Sequence, residues 1–237
     1  MSNSKPSSVK LPSDRGDILL RYFEPRDDGV DFPASDLEGS IPERFEKIAR
    51  LYPDRIAVKV GEQSLTYREF NQAANRIARQ ILEERGQGSE PIALLLEHGV
   101  DVLAAIFGVL KAGKFYVALD PASPLARIDY IINDAEVRLL LTNGVNRESV
   151  RRLNRGDVSV VNIDEIETTT PWDESLLRVS PDDFAALMYT SGSEGLPKGL
   201  LESHRFMLHS ARGMRHGGRI GGRGQGESAV RFRGRVW

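Results

Sequence analysis

From residue 70 onward the apolar positions recur at steps of three and four: Phe70, Ala73, Ala74, Ile77, Ala78, Ile81 and Leu82. That period places them on one face of a helix, with charged residues opposite, and Gly86 and Gly88 are positioned to end it. Pro91 to Leu96 is a short apolar run of the kind a buried strand carries. Asp101 then opens a segment that is apolar almost all round as far as Gly113, which predicts a helix buried on several sides. Phe115 to Leu119 is the next strand. Ser123-Pro124 reads as the cap and first-turn pair of a helix reaching about Ala135. Arg138 to Thr142 and Val158 to Ile163 are further strands, with a polar helix between them. Upstream, Pro42 suits the first turn of a helix that ends before Pro53. Ile56 to Val60 reads as a strand, Gly61 to Ser64 as a turn, and Leu65 to Tyr67 as the hairpin partner. Strands and helices alternating at these lengths predict an α/β fold, a mostly parallel sheet flanked by helices on both faces.

The two ends break this pattern. Residues 1–40 are rich in Ser, Pro, Asp and Gly and read as an irregular lead-in, with Ile18 to Phe23 as a short strand. Residues 211–237 hold eight of the chain's 22 glycines and seven arginines, and no apolar period continues into them. They are expected to be a disordered tail, either an arm of the RGG kind that binds nucleic acid or a spurious end such as a frameshift. The second reading is preferred, because the helical pattern after His204 dies within a turn or two.

Composition narrows the function classes. The 237 residues carry a net charge of −2, so nucleic acid is not expected as a partner of the chain as a whole. With no cysteine, disulfide and thiolate chemistry are excluded. No signal-peptide core opens the chain, and the longest apolar run, Val102 to Leu110, falls far short of the roughly 20 residues of a membrane span. A cytoplasmic protein with no membrane partner is the expectation. The histidines (His98, His204, His209 and His216) lack metal-ligand spacing, and Ser203-His204 reads as a helix cap. Asp120 and Asp134 read as the ends of a strand and a helix. No metal-binding or catalytic residue is assigned.

One stretch does carry chemistry. The apolar run Phe184 to Met188 leads into Tyr189-Thr190-Ser191-Gly192-Ser193-Glu194-Gly195-Leu196-Pro197-Lys198-Gly199. Glycines let backbone approach an anion, hydroxyls donate hydrogen bonds and a lysine adds charge, which together suit a loop that cradles phosphate. The run is neither a Walker A sequence nor G-x-G-x-x-G. It resembles the T-S-G-[ST]-T-G-x-P-K-G signature of the adenylate-forming (AMP-binding) superfamily, matching at Thr190, Ser191, Gly192, Ser193, Gly195, Pro197, Lys198 and Gly199 and departing at Glu194. Two further blocks match in order. Leu65-Thr66-Tyr67-Arg68-Glu69-Phe70 with Ala74-Asn75 is similar to the family's first motif. Leu110-Lys111-Ala112-Gly113 through Tyr116-Val117, with Asp120-Pro121, Pro124, Arg127 and Asp134, is similar to its second, with Lys114-Phe115 and Ala118 as departures. The continuation after Asp120 resembles the nonribosomal-peptide-synthetase branch.

The resemblance covers roughly residues 41–210 and implies the N-terminal portion of the large domain of the adenylate-forming fold, truncated. It implies a reaction in which ATP and a carboxylic or amino acid give an acyl-adenylate and pyrophosphate, with loading onto a carrier protein's phosphopantetheine thiol. ATP and magnesium are the implied cofactors. Thr190, Ser191, Gly192, Ser193, Glu194, Gly195, Lys198 and Gly199 form the implied phosphate site, with the β- and γ-phosphates held by the loop. The family's acid pocket, magnesium-binding glutamate and catalytic lysine come later than this loop, so the chain by itself is expected to be inactive and poorly soluble, and whether it counts as an enzyme is left open. Glu194 is expected to weaken ATP binding, since a carboxylate about 4 Å from a phosphate oxygen is repelled by roughly 4 kcal/mol at an effective dielectric near 20. Two alternatives remain: a binding remnant that needs a complementary chain, and a nucleic-acid binder acting through the tail.

Overall fold

The computed structural model describes residues 32–167, 179–191, 197–215 and 230–232. The strand expected at Ile18 to Phe23 and the tip of the glycine-rich stretch, Gly192 to Leu196, lie outside these residues.

Two helix openings share one local device. In α1 (Ile41–Leu51) the Ser40 hydroxyl accepts the Glu43 N–H while the Glu43 carboxylate accepts the Ser40 N–H. In α2 (Tyr67–Arg85) Thr66 and Glu69 do the same. Each reciprocal pair satisfies two donors that a helix start leaves orphaned. The block Leu65 to Phe70 is therefore a strand end followed by a cap, and Tyr67 opens the helix instead of closing the strand. The preceding hairpin of β1 (Ile56–Val60) and β2 (Gln63–Thr66) turns through Gly61-Glu62. That turn is tighter than the four residues expected, and Gly61 makes it possible at φ +57.

The strands of the main sheet are β3 (Pro91–Leu95), β4 (Phe115–Leu119), β5 (Leu139–Thr142), β6 (Ser159–Asn162), β7 (Phe184–Ser191), β8 (Pro197–Ser203) and β9 (Val230–Phe232). Among the described residues they lie in the order β6-β5-β3-β4-β7-β8-β9. From β6 to β7 every neighbour is parallel; β7–β8 and β8–β9 are antiparallel. The fold is thus α/β with a mostly parallel sheet, as expected.

Both faces are covered. Ile92 and Leu94 of β3 turn to the side packed by α1, α2 and α3 (Val100–Lys111), together with Phe45, Ile77, Ile81 and Val109. Ala93 and Leu95 turn to the other, packed by Ile128, Ile131 and Ile132 of α4 (Leu125–Asp134) and by α5 (Arg147–Leu153). Strict alternation with both sides buried is what a central parallel strand shows. Helix α4 opens one residue later than expected. Pro124 holds the cap position, its carbonyl accepting from Arg127 and Ile128, while the Ser123 N–H donates to the Asp120 carbonyl and closes the turn after β4.

Two buried lysines lock this arrangement. Lys111, fully buried, pairs with Glu46 of α1, which also accepts from Asn71 of α2 at 3.1 Å. Lys114, equally buried, donates to the Gly88 carbonyl at 2.8 Å and to Glu90 at 2.9 Å. This gives the departure at Lys114 a structural role: it ties the start of β4 to the turn preceding β3.

The C-terminal region departs from expectation in two places. Helix α6 (His204–Arg215) runs three turns, so the boundary drawn at residue 210 falls inside it. Leu208 holds it by packing against Phe32 and Leu37, a contact distant in sequence. Val230–Phe232 then pairs along β8, with Leu200 opposite Arg231.

Candidate functional site: a two-stranded hairpin

The glycine-rich stretch is the end of a β-hairpin, with more strand in it than the sequence suggests. Strand β7 continues through Tyr189, Thr190 and Ser191, and β8 begins at Pro197. The register pairs Tyr189 with Gly199, Thr190 with Lys198, and Ser191 with Pro197. Of the expected phosphate residues, Thr190, Ser191, Lys198 and Gly199 are therefore brought together on paired strands. Gly192, Ser193, Glu194 and Gly195 lie outside the described residues. Gly199 is an ordinary strand position and has no left-handed backbone. What it provides is a position without a side chain opposite Tyr189.

Alternation sorts the hairpin's two faces. Pro197, Gly199 and Leu201 are buried, whereas Lys198, Leu200 and Glu202 are partly accessible. Thr190 is exposed and directly across from Lys198. Opposed residues on one face of an antiparallel pair have Cβ atoms about 5 Å apart, so a hydroxyl and an ammonium are presented side by side. Lys198 makes no ion pair with another described residue. Burial raises the Glu202 carboxyl above its ordinary range, and with the nearby Glu202 charge it pushes the Tyr116 hydroxyl up to about 12. Tyr116 is thus a core residue of its motif.

The buried face of the hairpin rests on α4. The Tyr189 hydroxyl donates to Asp134 at 2.6 Å, and the Tyr130 hydroxyl donates to the Pro197 carbonyl at 3.5 Å. Burial, then the hydrogen bond to Asp134, moves the Tyr189 hydroxyl well above its usual range. In the sequence Asp134 reads only as a helix end. Its i, i+4 spacing from Tyr130 is the available signal, but the partner lies across the sheet. Asp120 does follow β4, where its carboxylate accepts the Ala122 N–H at 2.9 Å. Ser203 caps α6 through the Phe206 N–H, as expected, while His204 is buried with Nδ1 accepting from Ile41.

At the same carboxyl-terminal edge of the sheet, a hollow of about 380 Å³ opens between the ends of β3, β4 and β5, lined by Glu97, His98, Asp120 and Asn146 among others. Open α/β sheets bind ligands at this edge. Among the described residues no group of three or more His, Asp or Glu could hold a metal ion, and no helix is long and apolar enough to cross a membrane.

The model of the AMP-binding enzyme family matches residues 45–229. The chain belongs to this family. Among curated AMP-binding relatives it is 38% identical over 184 residues to bacitracin synthase 1 of Bacillus licheniformis, covering 76% of this chain and 3% of that protein. It is 37% identical over 166 residues to phosphinothricin tripeptide synthetase PhsC of Streptomyces viridochromogenes, covering 68% and 15%. A solved nonribosomal peptide synthetase, FmoA3 in an AMPPNP-bound form, superposes with a TM-score of 0.67 at 29% identity, over 80% of this chain and 20% of that one. VinN, at 21% identity and a TM-score of 0.66, shares the fold. The matched stretch is the N-terminal part of an adenylation domain of the peptide-synthetase type, and the chain spans a small share of the relatives it matches.

Proposed function

We propose that this chain supplies the ATP-phosphate grip of an adenylation domain that joins a carboxylic or amino acid to the α-phosphate of ATP and releases pyrophosphate. The carrying observation is the pairing of Thr190 with Lys198 at the base of the hairpin, next to the glycine-rich tip. Phosphoryl and nucleotidyl displacements need positioning and charge stabilisation more than covalent help from the protein. Lys198 would face the β- and γ-phosphates, which leave together, and the hydroxyls of Thr190, Ser191 and Ser193 would donate to their oxygens. The acid-binding and magnesium-binding groups belong to the later motifs that the resemblance implies, and the product would pass to a carrier thiol in the cytoplasm.

The test is acid-dependent exchange of pyrophosphate into ATP. Exchange is expected when the chain is joined to the remainder of a peptide-synthetase adenylation domain, and its loss is expected with Lys198→Ala. Exchange that survives Lys198→Ala undiminished contradicts the assignment. In the same assay Glu194→Thr is expected to lower the KM for ATP, by removing a repulsion of roughly 4 kcal/mol at 4 Å before any offset by neighbouring cations; an unchanged KM removes Glu194 from the account.

A further inference from the structure

We propose that helix α4 clamps the phosphate hairpin, with Asp134 and Tyr130 as positioning residues that set the hairpin's angle. The inference rests on the reading of that hairpin as triphosphate-binding. Tyr130 and Asp134 stand four residues apart, on one face of α4. From that face they reach both strands at the base of the tip. Asp134 accepts from Tyr189, two residues before β7 ends, and Tyr130 donates to the carbonyl of Pro197, where β8 begins. The Tyr130 contact falls on the closing pair Ser191–Pro197 itself, and the Asp134 contact on the pair Tyr189–Gly199 two residues below it. The Asp134 bond is short and charge-assisted, the stronger class of hydrogen bond.

The geometry also separates this role from nucleotide contact. Tyr189 alternates with Thr190 along β7, so the clamp grips one face of the hairpin while Thr190 and Lys198 occupy the other. Below the clamp, Leu187 and Leu201 pack with Ile131 and Phe115 in one buried cluster, which fixes the root of the hairpin. Rotation about that root is what the short Tyr189–Asp134 hydrogen bond opposes, with the longer Tyr130 contact at 3.5 Å beside it. A small tilt there would carry Lys198 and the tip away from the phosphates, and displacements near 1 Å cost such sites heavily.

The experiment compares ATP and AMP binding to the full chain by calorimetry, with thermal midpoints recorded for each variant. Only ATP carries the β- and γ-phosphates, so a hairpin defect must separate the two ligands, whereas general destabilisation weakens both. Tyr189→Phe, which removes one hydroxyl, is expected to weaken ATP about tenfold and AMP by less than about twofold. Asp134→Asn keeps an acceptor oxygen and is expected to lose only about threefold for ATP. Equal losses for ATP and AMP overturn the clamp, as does unchanged ATP affinity in Tyr189→Phe while Lys198→Ala binds ATP weakly. If the wild-type chain fails to prefer ATP over AMP, or Lys198→Ala has no effect, the phosphate reading itself fails and the clamp with it.

Discussion

His204 offers a quantitative test of the packing behind the hairpin. Its side chain is fully buried at the start of α6, with Nδ1 accepting from the Ile41 N–H at 3.4 Å and Nε2 without a hydrogen-bond partner among the described residues. Burial lowers its pKa from 6.5 to about 4, partly opposed by Asp183. The folded state therefore prefers neutral imidazole. As pH falls below 6.5 the unfolded chain takes up a proton that the folded chain refuses until about pH 4, so stability is intact above 6.5 and declines through that window. That lowering corresponds to about 3 kcal/mol in total, of which about 2 kcal/mol falls between pH 7 and pH 5. His204→Asn places an amide oxygen where Nδ1 accepts and cannot titrate. Urea unfolding of both proteins at pH 7 and pH 5 isolates this residue, since the other histidines and the raised carboxyls of Asp101 and Glu202 are common to both. The wild type is expected to lose about 2 kcal/mol more than the variant on acidification. Parallel losses would refute the reasoning.

Other outcomes follow from the same packing. Gly108→Ala would place a methyl 2.6 Å from Ile77 Cγ2 and 2.7 Å from its Cβ, too close for rotamer relief. A net destabilisation of about 1–2 kcal/mol is expected in chemical denaturation, the overlap exceeding the roughly 1 kcal/mol gained in helix propensity. Lys111→Met strands the buried Glu46 carboxylate and should cost about 3–5 kcal/mol, with most of it recovered in the double variant Lys111→Met/Glu46→Leu. Equal instability of the single and double variants would show that the ion pair is not the reason for the cost. Thr66→Ala should cost about 1 kcal/mol through the lost cap of α2, and Thr66→Ser should restore it.

Much of the fold is legible in the sequence because its strands are short apolar runs and its helices amphipathic. Phe115 to Leu119 can be placed to the residue, and the α2 stripe from Phe70 to Leu82 to within a turn. Expectation and structure part where local chemistry admits two readings. Ser123 is a good capping residue, yet the helix opens one residue later with Pro124 at the cap, and the Ser123 N–H bonds the Asp120 carbonyl in the turn after β4. Pro197 to Gly199 carries glycine, proline and charge, which read as loop; pairing with β7 makes it the start of a strand, buried on alternate residues. Helix α6 runs on to Arg215, and Leu208 in it packs against Phe32 and Leu37, a contact no local pattern announces. In the site, residue types announce phosphate chemistry, but the placement of Thr190 beside Lys198 depends on register, and the grip of Asp134 on Tyr189 on a contact spanning 55 positions. Neither leaves a periodic trace in sequence.

The central claim is that the hairpin of β7 and β8 holds the phosphates of ATP. Its most direct test is calorimetric titration of the chain with ATP, in parallel with Lys198→Ala. Binding by the wild type and a loss of tenfold or more in the variant, about 1.4 kcal/mol, is the predicted result, with AMP affinity the same in both. Indistinguishable ATP affinities in the two proteins would contradict it.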